Sequence, residues 1–227
     1  VLFFIGIFYL FKNLLEKKNS DKDLVIFLIL FSVIFIVIFL GSTFYNGWRQ
    51  LYFLYPLIIY FSIYELFILL IFFENKFKFF LIFIFLFSFL NTSYWMVKNH
   101  PHQYVYFNFL AGKNFNEKFE MDYWGNSNKS ALEFLSNNND GAIKITNINT
   151  NDLNLSKKIL IKDTRDRIEI VNDIKKAHFI INNYRDWKGR KLPNEFILPE
   201  NYIIYHEIKV DGVVISSIYK NTNKILN

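Results

Sequence analysis

Hydrophobic residues crowd into the first 97 positions of the chain, in long unbroken runs, and from Lys98 onward give way to a polar pattern rich in Asn and Lys. Three runs, residues 24–41, 51–73 and 79–97, reach the length a spanning helix requires. At about 1.5 Å of rise per residue, ~20 apolar residues cross a hydrocarbon layer roughly 30 Å thick. A further apolar stretch at residues 1–11 reads as the remainder of an earlier span, because Val1 opens in mid-run with neither an initiator Met nor a basic region ahead of it. The runs are apolar on every face and show no amphipathic period, the pattern of helices solvated by lipid. The expectation is a membrane α-helical region over residues 1–97 with about four spans, the first truncated, in a chain that is the C-terminal part of a longer protein.

The polar half carries shorter signals. Residues 127–137 read as a helix, with Ala131, Phe134 and Leu135 on one face and Ser130 and Glu133 at capping-box spacing; Ser127 is the alternative cap. Residues 142–148 alternate Ile143 and Ile145 with polar residues, the period of a half-buried strand. Further strands are expected at residues 158–161, 168–171 and 177–182, with a short helix around 171–176. Residues 202–210 and 213–219 flank Asp211-Gly212, a dipeptide that supplies the positive φ angles of a two-residue hairpin turn. Helix, alternating strands and closing hairpin predict a small α/β domain with a mixed sheet over residues 98–227. Its ~130 residues suffice to bury a core, and it must do so without disulfides, since the chain has no Cys.

Charge orients the membrane part. Lys12, Lys17, Lys18 and Lys22 lie in the first loop and Lys76 and Lys78 in the third, whereas residues 42–50 contain only Arg49. Short cytoplasmic loops are enriched in Lys and Arg, so loops one and three are expected inside, and the Arg49 loop and everything after residue 97 outside. The net charge of +6 divides into 7 Lys and Arg against 5 Asp and Glu before Lys98, and 19 against 15 from there on. No segment forms the concentrated basic stripe of a nucleic-acid binder. The joint bias to Phe, Asn and Lys suggests an A+T-rich genome, and the Phe stripes read as lipid-facing filler.

Few residues mark chemistry. His100 and His102 flank Pro101 with no third ligand at helical spacing, so no metal site is expected. Walker, G-x-G-x-x-G and G-x-S-x-G strings are absent. Glu65 sits mid-span, where an ionised carboxylate costs ~2.5 kcal/mol or more; it should face other helices or be protonated, either bonded to a neighbouring helix or in contact with a substrate head group as an intramembrane polar site. Pro56 falls in the first turns of its helix, where its missing donor is tolerated. The outer loop Tyr45-Asn-Gly-Trp48-Arg49-Gln50 puts one cation among aromatic rings at the water–lipid boundary. Arg49 there either grips a lipid-linked phosphate through bidentate bonds or anchors the loop by snorkelling. Asp122, Tyr123 and Trp124 form a second cluster: aromatic faces and a carboxylate suited to a sugar, or a carboxylate that locks the connector to the domain by backbone hydrogen bonds.

The Tyr45-Asn-Gly-Trp-Arg49 loop, the Pro101-His-Gln-Tyr-Val-Tyr-Phe-Asn108 connector and Asp122-Tyr-Trp-Gly125, in that order, resemble the C-terminal portion of bacterial GT-C superfamily membrane glycosyltransferases, in the branch related to family 39 protein mannosyltransferases. The resemblance covers residues 44–135. It implies an inverting enzyme of the bacterial inner membrane that moves a sugar from a polyprenyl-phosphate donor to a glycan, lipid or protein acceptor on the outer face. Its catalytic Asp or Glu would lie in a first outer loop upstream of this chain. Relatives commonly carry His after the loop Arg; Gln50 here removes a proton donor. Arg49 with Tyr45, Trp48 and Gln50 would contact the donor phosphate, and Asp122, Tyr123 and Trp124 would form the rim. No cofactor is expected in this chain; a divalent metal in the whole enzyme is left open. The alternatives are a non-catalytic membrane-anchored subunit that assembles the envelope or binds a glycan or protein and, third, a flippase for lipid-linked sugars, which would need polar residues spread through several spans.

Overall fold

The computed structural model describes residues 2–16, 21–43, 50–72, 75–112, 115–149, 151–185 and 197–224, and the chain divides into two compact units, Val1–Leu90 and Asn91–Asn227.

The first unit contains α1 (Leu2–Leu15), α2 (Asp21–Phe39), α3 (Tyr55–Phe72) and most of α4 (Asn75–Lys98). Three helical stretches, Asp21–Phe39, Tyr52–Phe72 and Asn75–Lys98, are long and apolar enough to cross a membrane; Leu2–Asn13 is apolar but shorter. Pro56 is the second residue of α3, where its missing N–H has no intrahelical partner to lose. Gly6 brings α1 against α3: a Cβ at this position would lie 2.4 Å from the Phe61 carbonyl oxygen and 3.4 Å from Glu65 Cβ. Small residues allow such approach between spanning helices, where van der Waals packing replaces the hydrophobic drive. Leu10, Leu30, Leu54 and Phe61 form the centre of this packing. No residue of α4 is buried, and its Phe79, Phe83 and Phe87 are largely exposed, as are Phe35 and Phe39 of α2. Apolar surface on this scale matches hydrocarbon surroundings rather than water.

The second unit holds the expected mixed sheet. Its five strands are β1 (Ile143–Asn147), β2 (Ile168–Ile170), β3 (Phe179–Asn182), β4 (Tyr202–Val210) and β5 (Val213–Asn221), in the order β2-β1-β3-β5-β4. β1 runs parallel to β2 and β3, while β5 is antiparallel to both β3 and β4. The hairpin turns at Asp211 and Gly212, with φ of 48° and 80°, as the dipeptide predicts. Asp211 also accepts hydrogen bonds from Trp95 Nε1 and, at 3.2 Å, from Lys98 Nζ, so the last turn of α4 is tied to the hairpin.

Between α4 and the sheet lie α5 (Phe115–Lys118) and α6 (Ser127–Asn137), the latter with the bounds its apolar period predicts. Ala131, Leu132 and Leu135 of α6 pack on Ile143, Ile145, Phe179, Ile181 and Ile218. Ile180, Tyr202 and Tyr219 make a second cluster on the opposite side of β3, all four of whose residues are buried.

Two expectations are corrected. Residues 158–161 do not form a strand: Asp152 caps α7 (Leu153–Lys158) by accepting the Asn154 N–H at 2.8 Å, and a turn follows. Leu160 alone turns inward there, with Ile159 and Ile161 exposed, so an apolar run that looked like a strand is a helix exit. The Ser130–Glu133 capping box is not made, since Glu133 pairs instead with Lys129 at 3.5 Å, and Ser127 is not the cap but the first residue of α6, whose N–H donates to Asp122. The next helix, α8 (Lys162–Arg167), is almost wholly polar, with only Thr164 buried, and leaves no periodic trace in the sequence. The short helical turn expected around residues 171–176 is a 3-10 turn at Ile174–Lys176.

Phe179, fully buried at the centre of the sheet, sets the scale of the core. Phe179→Ala is expected to lower the unfolding free energy of the second unit by about 3–5 kcal/mol, measured as denaturant dependence of amide exchange in β1, β3 and β5.

Candidate functional site

β1 and β3 are parallel neighbours whose C-terminal ends lie side by side, Asn147 opposite Ile181. From β1 the chain leaves for β2 on one side and returns to β3 on the other. The gap between the ends of β1 and β3 is therefore the switch point of the parallel part of the sheet, where open α/β sheets place their ligands. Residues 147–149 and 182–185 leave the strands here, and Asp122-Tyr-Trp-Gly125 joins them ahead of α6.

Asp122 is only 1% exposed. Its carboxylate accepts the Asn126 N–H at 2.8 Å, the Ser127 N–H at 3.1 Å, the Ser127 hydroxyl, and Asn183 Nδ2 at 3.3 Å. Its carbonyl oxygen accepts the Gly125 N–H at 3.1 Å and Asn183 Nδ2 at 2.8 Å. One side chain thus caps α6 and clamps it to the end of β3. Burial pushes its carboxyl above the ordinary carboxylate range, against the opposing pull of Ser127, Asn183 and Asn126. The Tyr104 hydroxyl, 3.3 Å from His102 Nδ1, is pushed up first by burial and then by the Asp122 charge. His102, buried beside Tyr104, is pulled down by burial and by His100.

A ladder of amides continues from Asn183. Its Oδ1 accepts from Asn149 Nδ2 and lies 3.4 Å from the Arg185 N–H. Asn149 Oδ1 accepts Asn147 Nδ2 at 3.0 Å and the Asn151 N–H at 3.1 Å. Asn151 Oδ1 in turn accepts Arg185 Nη1 at 2.7 Å. The guanidinium carbon of Arg185 sits 4.5 Å from the centre of the Tyr123 ring, and Tyr123 meets Trp124 edge-on at 5.1 Å. Trp124 is 65% exposed. Tyr184, between Asn183 and Arg185, has φ of 57°, a left-handed conformation costly for a bulky residue. Asn182 Oδ1 holds it there by accepting the Tyr184 N–H at 2.9 Å. Gly125 has φ of 69°, and a Cβ would fall 2.7 Å from Asn151 Nδ2 and 2.8 Å from Asn128 Nδ2, so a side chain here is strained and displaces those amides.

Asp122, Tyr123 and Trp124 therefore meet at one place in the fold, with two different roles: the carboxylate is interior and fully engaged, and Trp124 faces solvent. Arg185, Asn151 and Asn183 complete the cluster from segments about 30 and 60 residues on, which no spacing in the sequence reveals. Tyr45, Trp48 and Arg49 lie outside the described residues, and Gln50 is exposed just ahead of the turn at Tyr52–Leu54. In the first unit Glu65 is 2% exposed, beside Gly6, with no partner at Oε2. A polar contact the sequence did not announce joins α2 to α3, where buried Asp23 accepts the Tyr60 hydroxyl. Among the described residues, no group of three or more His, Asp or Glu stands ready to hold a metal ion. No protein-family profile, curated protein or solved structure matches the chain.

Two measurements follow from this geometry. Asp122→Ala strands buried donors of Asn126, Ser127 and Asn183 and is expected to cost roughly 2–4 kcal/mol, with amide protection lost first at the start of α6; Asp122→Asn, which keeps an acceptor, costs less. For His102 the native state favours the neutral ring, so its contribution is present above the unfolded value near 6.5 and is lost as pH falls toward the lowered folded value. The stability of the wild type relative to His102→Gln is expected to fall between about pH 7 and pH 5, read from paired unfolding curves across that range.

Proposed function

We propose that this chain is the C-terminal part of an inverting membrane glycosyltransferase that takes a sugar from a polyprenyl-phosphate donor on the outer face of a bacterial inner membrane. The support is the ordered set of strings Tyr45-Asn-Gly-Trp-Arg49, Pro101-His-Gln-Tyr-Val-Tyr-Phe-Asn108 and Asp122-Tyr-Trp-Gly125 in a chain with three helices long enough to span. The observation that carries most weight is the last string. Its carboxylate and glycine are locked into the fold while its Trp is left on the surface, an arrangement with more order than a linker needs.

In this reading the Lys-rich loops lie in the cytoplasm and the second unit lies outside. Arg49, with Tyr45, Trp48 and Gln50 around it, meets the donor phosphate at the interface, where a guanidinium presents two parallel donors to phosphate oxygens. Proton abstraction from the acceptor falls to an acidic residue of another outer loop, and the second unit receives the acceptor. The rival reading is a membrane-anchored subunit that binds a glycan or protein without transferring anything, and the exposed Trp124 serves it equally well.

The test is sugar transfer from radiolabelled polyprenyl-phosphate donors in membranes carrying the full gene product. Arg49→Ala is expected to lower transfer at least about tenfold, the loss of a charge-assisted phosphate contact, with protein levels unchanged. No transfer from any donor would leave the non-catalytic subunit as the reading.

A further inference from the structure

We infer that the connector between α4 and α6 forms an interfacial shelf, an apolar surface around Tyr106, Leu110 and Phe119 that lies in the head-group layer of the bilayer crossed by α4. The inference rests on α4 as a spanning helix and not on sugar transfer, so it stands or falls apart from the transferase reading.

The shelf begins where α4 ends. Past Lys98 the chain folds back along the helix it has just left: Gln103 Nε2 donates to the Met96 carbonyl at 3.0 Å, and the Tyr106 ring meets Trp95 edge-on at 4.8 Å. Val105, between them, is buried with Val210 and Ile215, and Trp95 packs on the same cluster. Tyr106 is therefore level with a residue about one turn before the helix end. Ring contacts carry that level onward, since the Phe107 ring lies 5.0 Å from those of both Phe115 and Phe119. The 24 residues of α4 extend about 36 Å, several Å more than a hydrocarbon layer roughly 30 Å thick, so the last turn of a spanning α4 reaches the head groups. Whatever is level with Trp95 is there too.

The chemistry of the connector fits that depth. Residues 103–112 carry no charge. Leu110 is 72% exposed and Phe119 48%, with Tyr104 and Tyr106 also at the surface. An apolar surface of this kind marks an interaction site, and Tyr rings are favoured at the membrane–water boundary. Backbone entering such surroundings must satisfy its own polar groups. The shelf does so by local turns: the N–H groups of Val105, Tyr106 and Ala111 donate to the carbonyls of His102, Gln103 and Asn108, and the Leu110 N–H donates to Asn108 Oδ1 at 3.0 Å. Lipid is the occupant because the surface adjoins that of α4, whose Tyr94 and Val97, on either side of Trp95 in the chain, are exposed as well. The tip of the β4–β5 hairpin shares the level, as Asp211 accepts from Trp95 and Lys98. Ile203 is 55% exposed too, but it stands eight residues back from that tip along β4, about 25 Å at the rise of a strand.

The experiment uses the absence of Cys from the chain, so that one introduced thiol carries one environment-sensitive fluorophore. The full chain is placed in lipid nanodiscs whose lipids bear a nitroxide quencher either at the head group or deep in the acyl chain. Labels at Leu110→Cys and Phe119→Cys are expected to lose emission to the head-group nitroxide and to keep it with the deep one. A label at Phe85→Cys, midway along α4, is expected to lose emission to the deep nitroxide, and one at Ile203→Cys to neither. Emission untouched by both quenchers at Leu110→Cys and Phe119→Cys, with Phe85→Cys quenched, would overturn the shelf and leave the span intact. Labels there that are shielded from water yet unquenched would put a protein segment on the surface and overturn it equally, as would quenching just as strong at Ile203→Cys. An unquenched Phe85→Cys would instead remove the span itself, and the membrane reading with it.

Discussion

A carboxylate that is 1% exposed can persist only where the surrounding chain brings donors to it, and Asp122 is where the second unit meets this condition. The donors come from two places that must be correctly folded first: the opening turn of α6 and the loop leaving β3. Helix start and strand end are therefore coupled through one side chain, and neither can shift without stranding a buried charge or a buried donor. Coupling of this kind makes the site cooperative with the core beneath it. Ala131, Leu132 and Leu135 place α6 on the sheet by burial, which is non-directional; Asp122 selects its axial position.

The first unit answers the same physical demand in other surroundings. Its helices leave Phe and Ile side chains bare, so apolar burial cannot be what joins them in lipid; close packing at Gly6 and the Asp23–Tyr60 bond can. Asp23 stands near the start of α2, with its oxygen engaged by a tyrosine of the neighbouring helix. Glu65 is the less settled group: buried beside Gly6, it has one carboxylate oxygen without a donor, in a helix with no other charged residue. An ionised glutamate in the middle of a span costs a few kcal/mol against an apolar residue.

Legibility in the sequence followed the range of the interaction. The long apolar runs, α6 with its 3.6-residue period, β1, β3 and the Asp211-Gly212 hairpin are local patterns, each written in a stretch of neighbouring residues and readable there. The strand expected at residues 158–161 failed because an apolar triplet at a helix exit has the same composition as a short strand, and only the Asp152 cap distinguishes them. α8 failed for the opposite reason, having too little buried surface to imprint a period. At the site, the motif Asp122-Tyr-Trp-Gly125 was visible as a cluster of chemical types, but its carboxylate had two open readings. Burial decides that Asp122 is interior; the sequence holds no record of Asn183 arriving 61 positions later to complete it.

That long-range closure bears on the abundance of Asn in this chain. A composition driven by genome bias would scatter Asn over exposed loops with no structural consequence. Asn147, Asn149, Asn151 and Asn183 do not fit that description: each side chain bonds another segment or the next member of the ladder, and Asn183 is 1% exposed. Asn is suited to this work because its short side chain both donates and accepts and mimics a backbone turn at little entropic cost. The ladder reaches Arg185, whose bond to Asn151 is therefore set by contacts reaching back to Asp122. A residue at the solvent boundary has thus been given the positional order of the interior, and that order, rather than any single side chain, is what separates this end of the sheet from the rest of the surface.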